Sequence, residues 1–240
     1  MDLPGYVALT RTSGLLKEMQ SVANNIANLS TTGFRREGVI FAEMVEALPA
    51  EGGSVAMTAA RARFTDATQG ALVQTGGALD LAIEGEGWFT VLTPTGERLT
   101  RAGAFARDGE GTVVTPDGHP LLDEGGGPIA IPFEAREIGV GPDGTLSVDG
   151  APVARIGLVA VEDATKLFRE GSVLFRAEGG TAPLEDGRVL QGFLEQSNVN
   201  AVSEMARMIL VQRAYEHGQK LMDQEDERIR LVVRTLGQRT

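Results

Sequence analysis

Positions Leu9, Thr12, Leu16, Met19, Ala23 and Ile26 follow one another at spacings of 3, 4, 3, 4 and 3. That rhythm predicts an N-terminal helix with one covered face, and Leu15 and Val22 widen the stripe. Gly14 is a weak point within it, costing roughly 1 kcal/mol relative to Ala. Ser30-Thr31-Thr32-Gly33 offers a stop, with Gly33 free to take the left-handed conformation. At the other end Met208, Val211, Tyr215, Gly218, Met222, Glu225, Ile229, Val232 and Leu236 repeat the pattern over a longer run. Asn198, Asn200 and Ser203 supply candidate N-caps. Gly218 and Glu225 interrupt this second seam.

Between the ends the period changes from helical to two. Leu81–Glu84, Trp88–Leu92, Val113–Thr115, Ile129–Ile131, Leu146–Val148 and Val153–Val161 are short runs rich in branched side chains. Asp108-Gly109, Asp117-Gly118, Asp143-Gly144 and Asp149-Gly150 separate several of them. The spacing predicts a small antiparallel domain, with one short helix over Glu162–Arg169. Ala50–Thr58, centred on Gly52-Gly53-Ser54, reads as a flexible link. The pattern as a whole predicts an α+β fold, with helical segments over 1–45 and 195–240, an extended connection over 46–78 and a β-rich domain over 79–194.

Charge sharpens this division. The 240 residues carry a net charge of −11. Residues 1–45 and 195–240 each sum to zero, so the middle holds all of it. Of 31 glycines, 23 lie between Gly70 and Gly192, which again marks the middle as turn-rich. An acidic chain lacks the basic footprint of a nucleic-acid binder. Without cysteine there are no disulfides, thiol nucleophiles or thiolate metal sites. No apolar run reaches the roughly 18 residues of a membrane helix, and the N-terminus has no basic region followed by an apolar stretch, so neither membrane insertion nor a cleaved signal is expected.

Candidate chemistry is thin. Gly139-x-Gly141-x-x-Gly144 has the letters of a dinucleotide fingerprint, but Pro142-Asp143-Gly144 followed by Thr145-Leu146-Ser147-Val148 reads as turn and strand, where that fingerprint needs a helix. His119 and His217 have no second ligand at metal spacing. Acidic pairs such as Asp108/Glu110 and Asp123/Glu124 read as turn residues on a solvated surface. No Gly-x-Ser-x-Gly elbow exists. The expected sets of catalytic, cofactor-binding and metal-binding residues are therefore empty. The helical faces carry the stronger signal. They can cover one another, fold back on the β domain, or complete their burial on other chains, and local neutrality favours the last.

Particular residues then become recognisable. Ala23-Asn24-Asn25-Ile26-Ala27-Asn28 with Thr31-Thr32-Gly33-Phe34-Arg35-Arg36 resembles the N-terminal signature of the bacterial flagellar rod and hook proteins. Leu194-Glu195-x-Ser197-Asn198-Val199-Asn200, Glu204-Met205, Met208-Ile209 and Gln212-Arg213-Ala214-Tyr215-Glu216 resemble the C-terminal one. Gln69-Gly70-Ala71-Leu72, Leu79–Phe89 and Thr100-Arg101-x-Gly103 are similar to the family's middle, with Trp88 where Phe is usual. The resemblance runs from about Tyr6 to Asp223. The opening Tyr6–Arg11 with Glu18-Met19 resembles the proximal-rod members most closely, and the distal-rod members share the same motifs. A β domain that binds carbohydrate or carries an enzymatic site is the remaining alternative.

The resemblance implies a non-enzymatic structural subunit without cofactor. It implies terminal helices paired as a coiled coil, export through the flagellar type III apparatus without a cleaved signal, and helical assembly in the periplasmic rod with itself and other rod proteins. The assembly-interface residues it implies are Asn24, Asn25, Ile26, Asn28, Thr32, Gly33, Phe34, Glu195, Ser197, Asn198, Val199, Met205, Met208, Gln212, Arg213 and Tyr215.

Overall fold

A computed structural model describes residues 3–47, 54–184 and 187–237. They divide into two compact units. The helical unit is drawn from Met1–Ala27, Glu37–Phe64 and Asn200–Thr240, and the β unit from Asn28–Arg36 and Thr65–Val199.

The helical unit holds helix α1 (Leu3–Ala27), strands β1 (Glu37–Ala47) and β2 (Ser54–Thr65), and helix α2 (Ala201–Gly237). Asn200 caps α2, its Oδ1 accepting the Ser203 N–H at 3.0 Å. The two helices run antiparallel: Asn25 meets Glu204, Arg207 meets Glu18, and Gly218 meets Thr12. A Cβ on Gly218 would lie 3.1 Å from Thr12 Oγ1. This glycine therefore lets two backbones approach and is more than a gap in the seam.

That approach also corrects the expected face of α1. Its covered line is Ala8, Thr12, Leu15, Met19 and Val22, with Leu15 and Val22 in place of Leu16 and Ala23. Leu9 and Leu16 are 53% and 43% exposed. The smaller Ala8 and Thr12 suit a close helix contact better than two leucines would, and Ser21 and Asn25 are also buried. On α2 the expected phase holds through Met208, Val211, Tyr215, Gly218, Met222 and Glu225. Beyond Glu225 the described positions are exposed.

The β1–β2 pair went unseen in the sequence. Ser54–Thr58, read as part of a flexible link, belongs to β2, and Ala50–Gly53 lies outside the described residues. Small and polar residues such as Thr58, Ala59, Ala60, Arg61, Ala62 and Arg63 give a strand little apolar alternation to detect.

In the β unit the largest sheet is antiparallel and six-stranded, in the order Leu167–Glu170, Leu174–Ala177, Gly96–Thr100, Trp88–Thr93, Leu158–Val161, Thr181–Pro183. Ala151–Arg155, Thr145–Val148 and Ile138–Val140 form a three-stranded sheet. Short pairs join Leu81–Glu84 to Arg188–Gln191 and Leu72–Gln74 to Phe193–Glu195. Leu81, Ile83, Phe89, Val91, Leu121 and Leu146 lie in the main core. Each buried side chain of this size contributes about 1.5–3 kcal/mol.

Three local expectations change here. Glu162–Arg169 is a short 3-10 turn, Ala164–Lys166, running into a strand, because the Asp163 carboxylate caps the turn and Leu167–Glu170 pairs with Leu174–Ala177. Val153–Val161 breaks at Ile156-Gly157, where a Cβ on Gly157 would meet Asp123 O at 2.7 Å. Ile129–Ile131 forms only one isolated bridge, Ala130 to Thr112, although both isoleucines are buried. The Gly139–Gly144 letters sit between strands Ile138–Val140 and Thr145–Val148, and no helix follows them. No helix among the described residues is long and apolar enough to cross a membrane.

Trp88, the only tryptophan, packs on Phe175 beside the main core and reports its integrity. Phe89 is fully buried and meets Phe105 edge-on at 5.4 Å. Phe89→Ala is expected to lower stability by about 3–5 kcal/mol, read by urea unfolding with Trp88 fluorescence. A midpoint unchanged from the parent would contradict the placement of this core.

Candidate assembly site

The N- and C-terminal motifs enter both units, and in each a buried polar residue organises them. In the β unit that residue is Glu195, 1% exposed at the end of Phe193–Glu195. Its Oε1 accepts from Arg35 Nη1 at 2.7 Å and from the Gly70 N–H at 2.9 Å. Its Oε2 accepts from Arg101 Nη1 at 3.2 Å. Its backbone C=O accepts the Gly33 N–H at 2.8 Å. One carboxylate thus holds three separate stretches of chain.

Local geometry brings each partner in. Gly33 has φ +67°, and a Cβ there would lie 2.3 Å from Ala102 N, so a side chain would clash as well as strain. A Cβ on Gly70 would lie 1.9 Å from Gln196 O. These two glycines permit the crossings that deliver Arg35 and the Gly70 N–H. Arg101 follows strand Gly96–Thr100 directly and also donates to Gly85 O at 2.7 Å.

Two guanidiniums against one carboxylate leave a buried excess of positive charge. The Trp88 ring face lies 6.0 Å from Arg35 and 5.6 Å from Arg101, and offers a cation–π contact to both. Burial pushes the Arg101 guanidinium from its ordinary value down to about 10, with Glu195 opposing and Arg35 adding to the shift. Burial lowers Arg35 too, against Glu195 and Asp66. A folded value below the unfolded one means that burying the charge costs stability at neutral pH. That cost is relieved as pH rises from about 10 toward the ordinary arginine value.

Phe34, fully buried, continues the cluster. The Arg169 guanidinium lies between the Phe34 and Phe175 rings, 4.5 and 4.6 Å from their centroids, and donates to Arg35 O. Asn198 closes the other side. Its Oδ1 accepts the Arg36 N–H at 2.6 Å, and its Nδ2 donates to Asp66 O at 3.1 Å and Thr68 O at 2.8 Å.

In the helical unit the corresponding residue is Asn25. Its Oδ1 accepts the Glu37 N–H at 2.9 Å and its Nδ2 donates to Glu37 O at 2.8 Å. The side-chain amide therefore pairs with β1 as a neighbouring strand would. Nδ2 also reaches Glu204 Oε2 on α2 at 3.1 Å, within a buried set. Glu18 and Arg207 add an α1–α2 ion pair at 2.8 Å.

The motif residues thus divide by exposure. Asn25, Gly33, Phe34 and Glu195 are buried inside their own unit. Asn24, Ile26, Asn28, Thr32, Ser197, Asn198, Val199, Met208 and Tyr215 are half-buried, and Met205, Gln212 and Arg213 stand exposed on α2. Arg35, Arg101 and Glu204 lie within the family-like motifs but outside the expected interface set. Their signal is a charged residue beside glycine or apolar neighbours. Arg169 lies outside those motifs, and its role depends on Phe34, far away in sequence, meeting Phe175 on the next strand.

Three family models match the chain. They are described as Flagella basal body rod protein over residues 6–35, Flagellar hook protein FlgE/F/G D1 domain over 82–148, and Flagellar basal body rod FlgEFG protein C-terminal over 190–234. The flagellar basal-body rod protein FlgF of Caulobacter vibrioides is 42% identical, covering 99% of each chain. That of Rhizobium meliloti is 37% identical over 97% of each. The flagellar basal-body rod protein FlgG of Bacillus subtilis is 33% identical over 95% of this chain and 97% of its own.

Glu195→Gln removes the buried carboxylate that two guanidiniums share and is expected to cost about 3–5 kcal/mol, read by urea unfolding. A loss below 1 kcal/mol, the scale of an exposed pair, would contradict the clamp. Asn25→Leu is expected to weaken the helical unit by about 1–3 kcal/mol, seen as earlier thermal loss of helical circular dichroism. An unchanged melting curve would remove Asn25 from this role.

Proposed function

The chain belongs to the flagellar basal-body rod protein family, and from that premise we propose that it is a subunit of the proximal rod, exported without a cleaved signal through the flagellar type III apparatus. It is a structural subunit of the rod and not an enzyme. The observation that carries the proximal assignment is near-full-length similarity to relatives named FlgF. Similarity to FlgG proteins over nearly the same span favours a distal position as the second reading.

In the proposed assembly α1 and α2 pair as a coiled coil and meet neighbouring rod subunits through faces left uncovered in the single chain. The motif residues then serve in two ways. The buried Asn25, Phe34 and Glu195 fix the shape of the subunit. The exposed Met205, Gln212 and Arg213 are offered to neighbours, together with the half-buried Met208 and Tyr215. Aromatic and Arg anchors are frequent at interfaces. The acidic β unit needs no neighbour to complete its core.

Deleting the gene is expected to abolish swimming and to leave basal bodies that stop short of the hook, seen by electron microscopy. A stub ending before the proximal rod supports the proximal assignment, and one retaining it supports the distal assignment. Complete rods in swimming cells would contradict both.

A further inference from the structure

α1 and α2 do not end together. Asn25 lies opposite Glu204 and Thr12 opposite Gly218, so Leu3 falls opposite a position near 227. α2 runs roughly ten residues, about 15 Å, past that point. The stripe that α1 covers continues along this overhang as Ile229, Val232, Val233 and Leu236, all 40–64% exposed. The face is continuous with the α1–α2 contact and lacks only a helix to cover it.

A second uncovered line lies on α1. Leu9, Leu16 and Ala23 recur every seven residues, roughly 60–100° around the helix from the covered line. From Ile229 to Leu236 is also seven residues, so the two ridges share a repeat of roughly 10 Å and can interdigitate at a shallow angle. Charge does not oppose the match. Ser13 and Gln20 flank the α1 ridge, and of the overhang's arginines Arg228 and Arg230 pair with Glu225 and Asp226 on the turn before it.

We infer that the α2 overhang of one copy packs along the Leu9–Leu16–Ala23 ridge of a second copy. The inference rests on the rod-subunit reading and adds to it which faces meet. The two faces differ, so the contact is heterologous and propagates instead of closing into a dimer.

The chain has no cysteine, so an introduced pair reports without background. In a strain lacking the native gene, a tagged Leu16→Cys copy is expressed with an untagged Val233→Cys copy, and basal bodies are isolated and oxidised. Leu9→Cys with Leu236→Cys is the second pair. Leu16→Cys with Val202→Cys, at the far end of α2, is the control. A disulfide-linked heterodimer from either test pair and none from the control is expected. Basal bodies that contain both copies yet yield no heterodimer from either test pair would overturn the contact. Absence even of the unmodified chain from basal bodies would overturn the rod reading, and with it the contact.

Discussion

A buried carboxylate between two arginines is the constraint on which the β unit's entry and exit depend. Glu195 leads from the β unit toward α2, Arg35 follows the turn after α1, and Arg101 belongs to the strand system between them. An ion pair this deep is a poor source of net stability, because desolvation offsets much of the attraction. Its value lies in what it excludes. Any arrangement that moves one segment away strands a charge in an apolar interior, so the carboxylate selects one path for the chain at the base of both terminal motifs.

Asn25 does comparable work in the helical unit with a neutral group. Its amide satisfies both backbone groups of Glu37 and reaches Glu204, which sets α1 against β1 and α2 together. A single buried amide can fix the register of paired helices. The small residues around it matter as much. Thr12 against Gly218 draws the helices close, and closeness decides which side of α1 is covered. Leu9 and Leu16 are thereby left outside, available for contacts beyond the chain.

Much of this was legible in the sequence. The heptad rhythm of α2 through Glu225 needed only apolar spacing, and the strand runs of the middle stood out because Asp-Gly turns bound them. Aspartates at turns also account for part of the −11. Asp108, Asp123 and Asp143 each accept backbone N–H groups that close a turn. Bonds from Thr145 hold the Asp143 carboxyl below its usual range. The covered face of α1 departs from the heptad pattern because apolar size points Leu16 inward, whereas close approach depends on small residues. β1 and β2 were missed because their sequences alternate weakly. The clamp was half visible. Glu195, Arg35 and Arg101 all lie in motifs that the sequence shows, but nothing in their spacing reveals that the chain folds back across a separation of 94 positions to bring Arg101 to Glu195.

In the proposed assembly the charged β unit stays folded around Glu195 while the helical unit is buried among neighbouring subunits. Electron cryomicroscopy of isolated basal bodies, at a resolution that shows side chains, tests this most directly. The expected map shows α1 and α2 of this chain packed against other rod subunits, with the Glu195 carboxylate between Arg35 and Arg101. Helices exposed to solvent along the rod, or a Glu195 turned outward to a neighbouring subunit, would contradict it.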